Sequence, residues 1–301
     1  MLEKPAVRPD SSVGEALRAV ARDILAEARA ILSDPKRPDA EAVHDFRKAM
    51  KRWRALLRLL QPYLGEEARR LRAQARDFAR TLAGARDAQA ALEAIEDFAA
   101  DFKKDDAPLS PRTVGSIRTR LDAIRTAAEA DRLTPAVRAQ MIVSLDAANE
   151  AAGAWPVGAV SFSDLAGELS RTYKRARDDA PEGDWRDAEP EHLHELRGRV
   201  VAHRYQMELV EPLWPKFGKL WVAEAQRLRD RLGAYQDLSV LLGYTAPHGP
   251  LAPWRSRLTP LIDARRAAHA KAAQRLAGRL FAERPRAFRK RIEALWASGK
   301  K

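Results

Sequence analysis

The stretch VHDFRKAMKRWRALLRLL, residues 43–60, carries two periodic patterns at once. Val43, Phe46, Met50, Trp53, Leu57 and Leu60 recur at steps of 3, 4, 3, 4 and 3. That spacing puts the apolar side chains on one face of an α-helix, which must pack against neighbouring helices. Displaced by one residue, His44, Arg47, Lys51, Arg54 and Arg58 follow the same steps. One residue is about 100° of rotation, so the second pattern is a basic stripe flanking the core face. Lys48 and Arg52 widen it. Six cations and one histidine lie within 15 residues, along roughly 21 Å of helix axis.

A charged helix face is ordinarily solvated and needs no ligand. Such faces usually interleave Glu with Lys or Arg at i,i+4, yet after Asp45 no acid occurs until Glu66. The like-charged pairs Arg47/Lys51, Lys48/Arg52 and Arg54/Arg58 each cost a few tenths of a kcal/mol. An uncompensated row of this kind points to a polyanionic partner that offsets the repulsion. Arginine offers phosphate a bidentate fork and lysine a point charge.

The stripe recurs. Residues 43–92 align with 193–242 without a gap, with ten identities in 50 positions. His44 matches His194, Arg47 matches Arg197, Arg54 matches Arg204, Pro62 matches Pro212 and Asp87 matches Asp237. Coincidences of Ala, Arg and Leu are cheap in this composition; the paired His, Pro and Asp indicate a duplication. The expected division is a first helical-bundle repeat over 1–155 and a second over 156–301. The second stripe is poorer, with Gly198, Val201 and Ala202 where the first has Lys48, Lys51 and Arg52. The preceding helix offers Arg171, Tyr173, Lys174, Arg175 and Arg177 as compensation or as an ordinary surface run. Arg86-Asp87 and Gln236-Asp237 are expected to open the fourth helix of each half. Both Asp residues read as helix starts favoured by the dipole, and Arg86 as a ligand contact.

Around this stretch the chain reads as helix throughout. Helices are expected over about 13–32, after Ser11 and Ser12 as N-caps, and over 39–60, 65–82, 87–102, 113–130 and 135–152 in the first half. The second half predicts 162–179, 191–210, 215–232 and 234–242, then two basic helices divided by Pro285. Residues 103–111 read as a linker. No segment shows the period-two alternation of a strand. The fold class is all-α, in two repeated helical bundles.

Composition bounds the function. The 301 residues are 46% hydrophobic and 32% charged, with 15 Gly and no Cys. Disulfides, thiolate metal sites and a cysteine nucleophile are excluded. The first ten residues are polar, without a signal peptide's apolar core, and no run approaches the roughly 18 apolar residues of a membrane span. A cytoplasmic protein without membrane association is expected. The net charge is +12, but residues 251–301 hold 14 Lys or Arg against Asp263, Glu283 and Glu293. The rest is near neutral, so the argument rests on local pattern rather than on overall charge.

At these residues the sequence resembles the CHAD family, the conserved histidine α-helical domain. The matching pieces are VHDFRKAMKRWR (43–54), LAGARD (82–87), RTYKRAR (171–177), LHELR (193–197) and LGAYQD (232–237). The resemblance implies two helical bundles related by a pseudo-twofold axis with a basic groove or pore between them, binding of inorganic polyphosphate, and association with polyphosphate granules. It carries the ligand contacts to His44, Arg47, Lys48, Lys51, Arg52, Arg54, His194, Arg197 and Arg204. Arg58, Arg86, Tyr173, Lys174 and Arg177 join them from the stripe and its neighbours. No cofactor, metal or catalytic residue is expected: His192 and His194 lie on different helix faces, and His44-Asp45 finds no further partners for a two-metal hydrolase. A nucleic-acid-binding protein is the competing reading, through the basic C-terminal helices with Trp254, Phe281, Phe288 and Trp296. Other polyanions are admissible partners, and the oligomeric state is not encoded in these patterns.

Overall fold

The structure, a computed structural model, describes residues 5–82, 86–101, 109–129 and 133–299, and among these every regular element is helical. The first half comprises α1 (Val13–Ser33), α2 (Asp39–Leu59), the single turn α3 (Gln61–Leu64), α4 (Glu66–Thr81), α5 (Arg86–Asp101), α6 (Pro111–Glu129) and α7 (Pro135–Gly153). The second comprises α8 (Phe162–Asp178), α9 (Pro190–Val210), α10 (Pro215–Tyr244), α11 (Arg255–Leu280) and α12 (Pro285–Ser298). Most of the expected linker over 103–111 lies outside the described residues.

Local chemistry sets the boundaries. Helices α6, α7, α9, α10 and α12 each begin with proline, whose missing N–H costs nothing in a first turn and whose fixed φ suits a helix. Ser12 accepts from the Glu15 amide and Thr134 from the Val137 amide. Ser161 and Asp164 form a reciprocal capping box at α8, satisfying two donors that would otherwise be orphaned.

One expectation fails at α10. The sequence suggests two helices meeting near Gly233; the structure has one helix of 30 residues through it. A lone glycine costs a helix only about 1 kcal/mol, and packing against α9, α11 and α5 outweighs that. Asp237 therefore sits inside a helix and is not a helix start. Asp87, by contrast, does lie in the first turn of α5.

α2 packs on α1, α4 and α9, and α9 on α8 and α10. The main core draws side chains from both halves, including Leu17, Phe46, Leu57, Leu165, Leu196 and Phe288. Trp53 stacks on Trp155 of the connection between the halves, at 5.6 Å and 15°. A second, smaller core joins α5 and α6 to the end of α10 and the start of α11, through Ile95, Phe98, Ile117, Leu121, Leu241 and Ile262. Between these two cores runs a groove.

Candidate functional site: a basic groove

The groove has a volume of about 1480 Å³. α2 lines it with His44, Arg47, Lys48 and Lys51; α9 adds Arg197 and Arg204. These are the front of the basic stripe and two members of its repeat. The 3,4 periodicity brings each set onto one helix face, and the α2–α9 contact brings the two faces together. Arg47 donates from Nη1 to the Leu82 carbonyl at 3.2 Å, which anchors the guanidinium at the groove wall. Arg197 lies flat against α10: a Cβ built on Gly233 would stand 3.4 Å from its Nη2. Arg204 is braced by an ion pair with Glu208 and lies over the Tyr205 ring at 3.9 Å.

Four further bases complete the walls. Arg125 comes from α6, Arg229 from α10, and Arg265 and His269 from α11. None belongs to the repeated stripe, and nothing in the periodicity of α2 or α9 points to them. Burial first, then the charges of Arg231 and Arg265, holds His269 below the usual histidine range. Asp39, Glu93, Asp97, Asp230 and Asp237 also face the groove, so eight Lys or Arg stand against five carboxylates. The excess is positive but moderate. Arg125 pairs with Asp122 at 2.6 Å, and Arg229 with Asp230 at 2.7 Å.

The other expected contacts are placed elsewhere. Arg52 turns to α1, where it pairs with Glu27 and lies 3.8 Å from Asp23, with 15% of its side chain exposed. One residue past Lys51 is about 100° around the helix, enough to leave the groove. Arg54 and Arg58 continue the stripe but come out beside α4, beyond the crossing of α2 with α9. Tyr173 is fully buried, stacked on Phe288 at 4.4 Å, with its hydroxyl donating to the Glu283 carbonyl. Arg177 donates to the Phe281 carbonyl at 3.1 Å, and Lys174 pairs with Asp178 on the surface. Tyr173 and Arg177 serve the packing of α8, Lys174 stays on its surface, and none of the three lines the groove. His194 is exposed and hydrogen-bonded to Gln236. The side chain of Arg86 lies outside the described residues.

Asp45 is held by Arg37 at 2.5 Å, so the His44-Asp45 pair is not presented as a unit. Among the described residues, no three His, Asp or Glu side chains are grouped to hold a metal ion. The aromatics of the basic C-terminal helices are packed inward. Phe281 and Phe288 are buried, and Trp296 stacks on Phe162 at 4.1 Å. Among the described residues no helix is long and apolar enough to cross a membrane.

The all-helical fold defines the class of this protein, and the comparisons with known proteins name its family. The chain belongs to the CHAD domain family, whose sequence model matches residues 15–246. The crystal structure of the CHAD domain from the plant Ricinus communis is similar in fold, with a TM-score of 0.54 and 20% identity over 98% of this chain and 95% of that one. No curated protein matches the sequence.

Proposed function

We propose that the groove binds inorganic polyphosphate, without enzymatic turnover. The observation that carries this reading is the convergence of His44, Arg47, Lys48 and Lys51 with Arg197 and Arg204 on one concave wall. A flexible chain with a charge on every repeat unit could thread such a wall and be met by bidentate guanidinium contacts. Membership in a family named for a helical domain with this histidine supports the choice. Nucleic acid fits less well, because Phe281 and Phe288 of the basic C-terminal helices are buried and Trp296 is stacked on Phe162. In the cell the reading places the protein in the cytoplasm, on polyphosphate granules where these form.

The test is a binding titration with long-chain polyphosphate at fixed, near-physiological salt, with single-stranded DNA, RNA and ATP as competitors at equal phosphate. Replacing Arg47, Lys51 and Arg197 together by Ala is expected to weaken polyphosphate binding at least about tenfold. An unchanged dissociation constant in a variant that keeps its helical circular dichroism refutes the groove as the site. Equal displacement by DNA would make the preference one for polyanions generally.

A further inference from the structure

A second basic surface lies outside the groove. Arg54 and Arg58 of α2, Arg72 and Arg76 of α4, Arg175 of α8 and Arg199 of α9 come together there, and none of them lines the groove. Four helices contribute, and α2 touches each of the other three.

What sets this cluster apart is that guanidiniums from four helices converge there with a single counter-charge, Asp179. On α4 itself, Arg69 pairs with Glu66, Arg70 with Glu67 and Arg80 with Asp77. Arg72 and Arg76, on the side of α4 that faces α2, have no such partner among the described residues; Arg72 donates only to the neutral Gln61 at 2.9 Å. Arg54, Arg58 and Arg175 also lack a carboxylate within ion-pair distance among the described residues, and only Arg199 has one, Asp179 at 2.6 Å. One helix thus neutralises its outward arginines and leaves the convergent ones bare. Burial, followed by the charges of Arg72, Arg199, Arg54 and Arg175, pushes Arg58 down to about 10. Arg54 and Arg72 are lowered as well, by burial and then by their arginine neighbours.

An ordinary solvated face does not gather half-buried guanidiniums from several helices, because their repulsion destabilises the fold, and here one acid, Asp179, relieves only Arg199. We propose that this arginine cluster is a second phosphate-binding surface, taking a short run of phosphoryl groups independently of the groove and making the protein bivalent for polyanions. The proposal rests on the groove reading for the chemical nature of the ligand, and on the cluster's own geometry for its existence. Arg47 and Arg58 are eleven residues apart on α2, roughly 16 Å along the axis. A short oligophosphate cannot reach both. A long chain can be held at two places, or two chains by one molecule, with the avidity that bivalence brings.

Tripolyphosphate is the probe, titrated calorimetrically at low salt into the full chain. Wild type is expected to take up two equivalents. The groove variant Arg47→Ala/Lys51→Ala/Arg197→Ala and the cluster variant Arg58→Ala/Arg72→Ala are each expected to take up one. Since Arg58 is half-buried, the exposed pair Arg76→Glu/Arg175→Glu serves as a second cluster variant, with circular dichroism confirming the fold of both. Two equivalents in the cluster variants, or none in the groove variant, overturns the second surface. Two equivalents in the groove variant alongside one in the cluster variants instead overturns the groove and leaves the cluster standing.

Discussion

Acidification from about pH 7 to about pH 5 is expected to weaken this fold, and the largest part of that effect is assigned to one buried residue, His203. Its side chain is 1% exposed and sits among Tyr173, Trp221, Phe281 and Phe288 at centroid distances of 5.6, 6.0, 5.7 and 6.0 Å. Its Nε2 accepts the Trp221 indole N–H at 2.9 Å, which commits that nitrogen to the neutral form. Burial, with a smaller push from Arg291, lowers its pKa to about 3. In the unfolded chain a histidine titrates near about 6.5. Between those values only the unfolded chain takes up the proton, so stability falls as the pH falls. Well inside the window each pH unit is worth about 1.4 kcal/mol, and integrating from about pH 7 to about pH 5 gives roughly 2 kcal/mol.

The perturbation is His203→Gln, whose amide oxygen can still accept from Trp221 but does not titrate. Urea denaturation followed by far-UV circular dichroism, at both pH values, gives the comparison. The variant is expected to be less stable than wild type at neutral pH and to lose roughly 2 kcal/mol less on acidification. His269 is also held low by burial and contributes in both proteins, so only the difference between them isolates His203. If wild type and variant lose the same stability, His203 is not the neutral, dry histidine described above.

Three other outcomes follow from the site. The affinity for polyphosphate should fall linearly with the logarithm of salt concentration, and Arg47→Ala/Lys51→Ala should reduce that slope by about 1.4, at roughly 0.7 per lost contact on a single strand; an unchanged slope places both residues off the ligand. Arg52→Ala removes the tie from α2 to Glu27 and Asp23, so a stability loss of up to about 1 kcal/mol with unaltered polyphosphate binding is expected, and weaker binding in the titration would return Arg52 to the site. Gly233→Ala should stabilise α10 by about 0.5–1 kcal/mol with binding retained, because its Cβ makes ordinary contact with Arg197. Gly233→Leu should displace Arg197 and weaken binding, and equal affinity in the two variants would show that the close approach does nothing.

The sequence is most informative where one helix decides its own faces. Along α2 the apolar set is buried at Phe46, Met50, Trp53, Leu57 and Leu60, and the stripe beside it does line the groove at its front. The duplication likewise points to Arg197 and Arg204. Reading residues 171–177 as one cluster ignores the rotation of about 100° per residue. That rotation sends Thr172, Tyr173 and Ala176 into the core and Lys174 outward, and leaves Arg175 facing α2. Arg125, Arg229, Arg265 and His269 were not legible, since their place in the wall depends on how α5, α6, α10 and α11 pack together. That arrangement is set by the second core, whose apolar residues look like those of any amphipathic helix. The same tertiary packing keeps α10 continuous through Gly233, where local propensity alone suggests an end.

What divides the charge of α2 is its crossing with α9. Ala55 meets Ala202 and Tyr205 there, and the Gln206 side chain donates to the Ala55 carbonyl at 3.0 Å. Small residues let the two backbones approach, and the buried amide fixes their register. Residues of the stripe before this point, Arg47 and Lys51, open into the groove; those from Arg54 on open on the side of α4. A single periodic row thus becomes two separate basic surfaces without any change in its spacing. The lysine and arginine that the second repeat lacks, at Val201 and Ala202, are lost where the helices touch and a charge would be buried at the crossing. At these two positions the weaker stripe of the second half follows from packing, and Arg229 of α10 and Arg265 of α11 add bases to the groove wall.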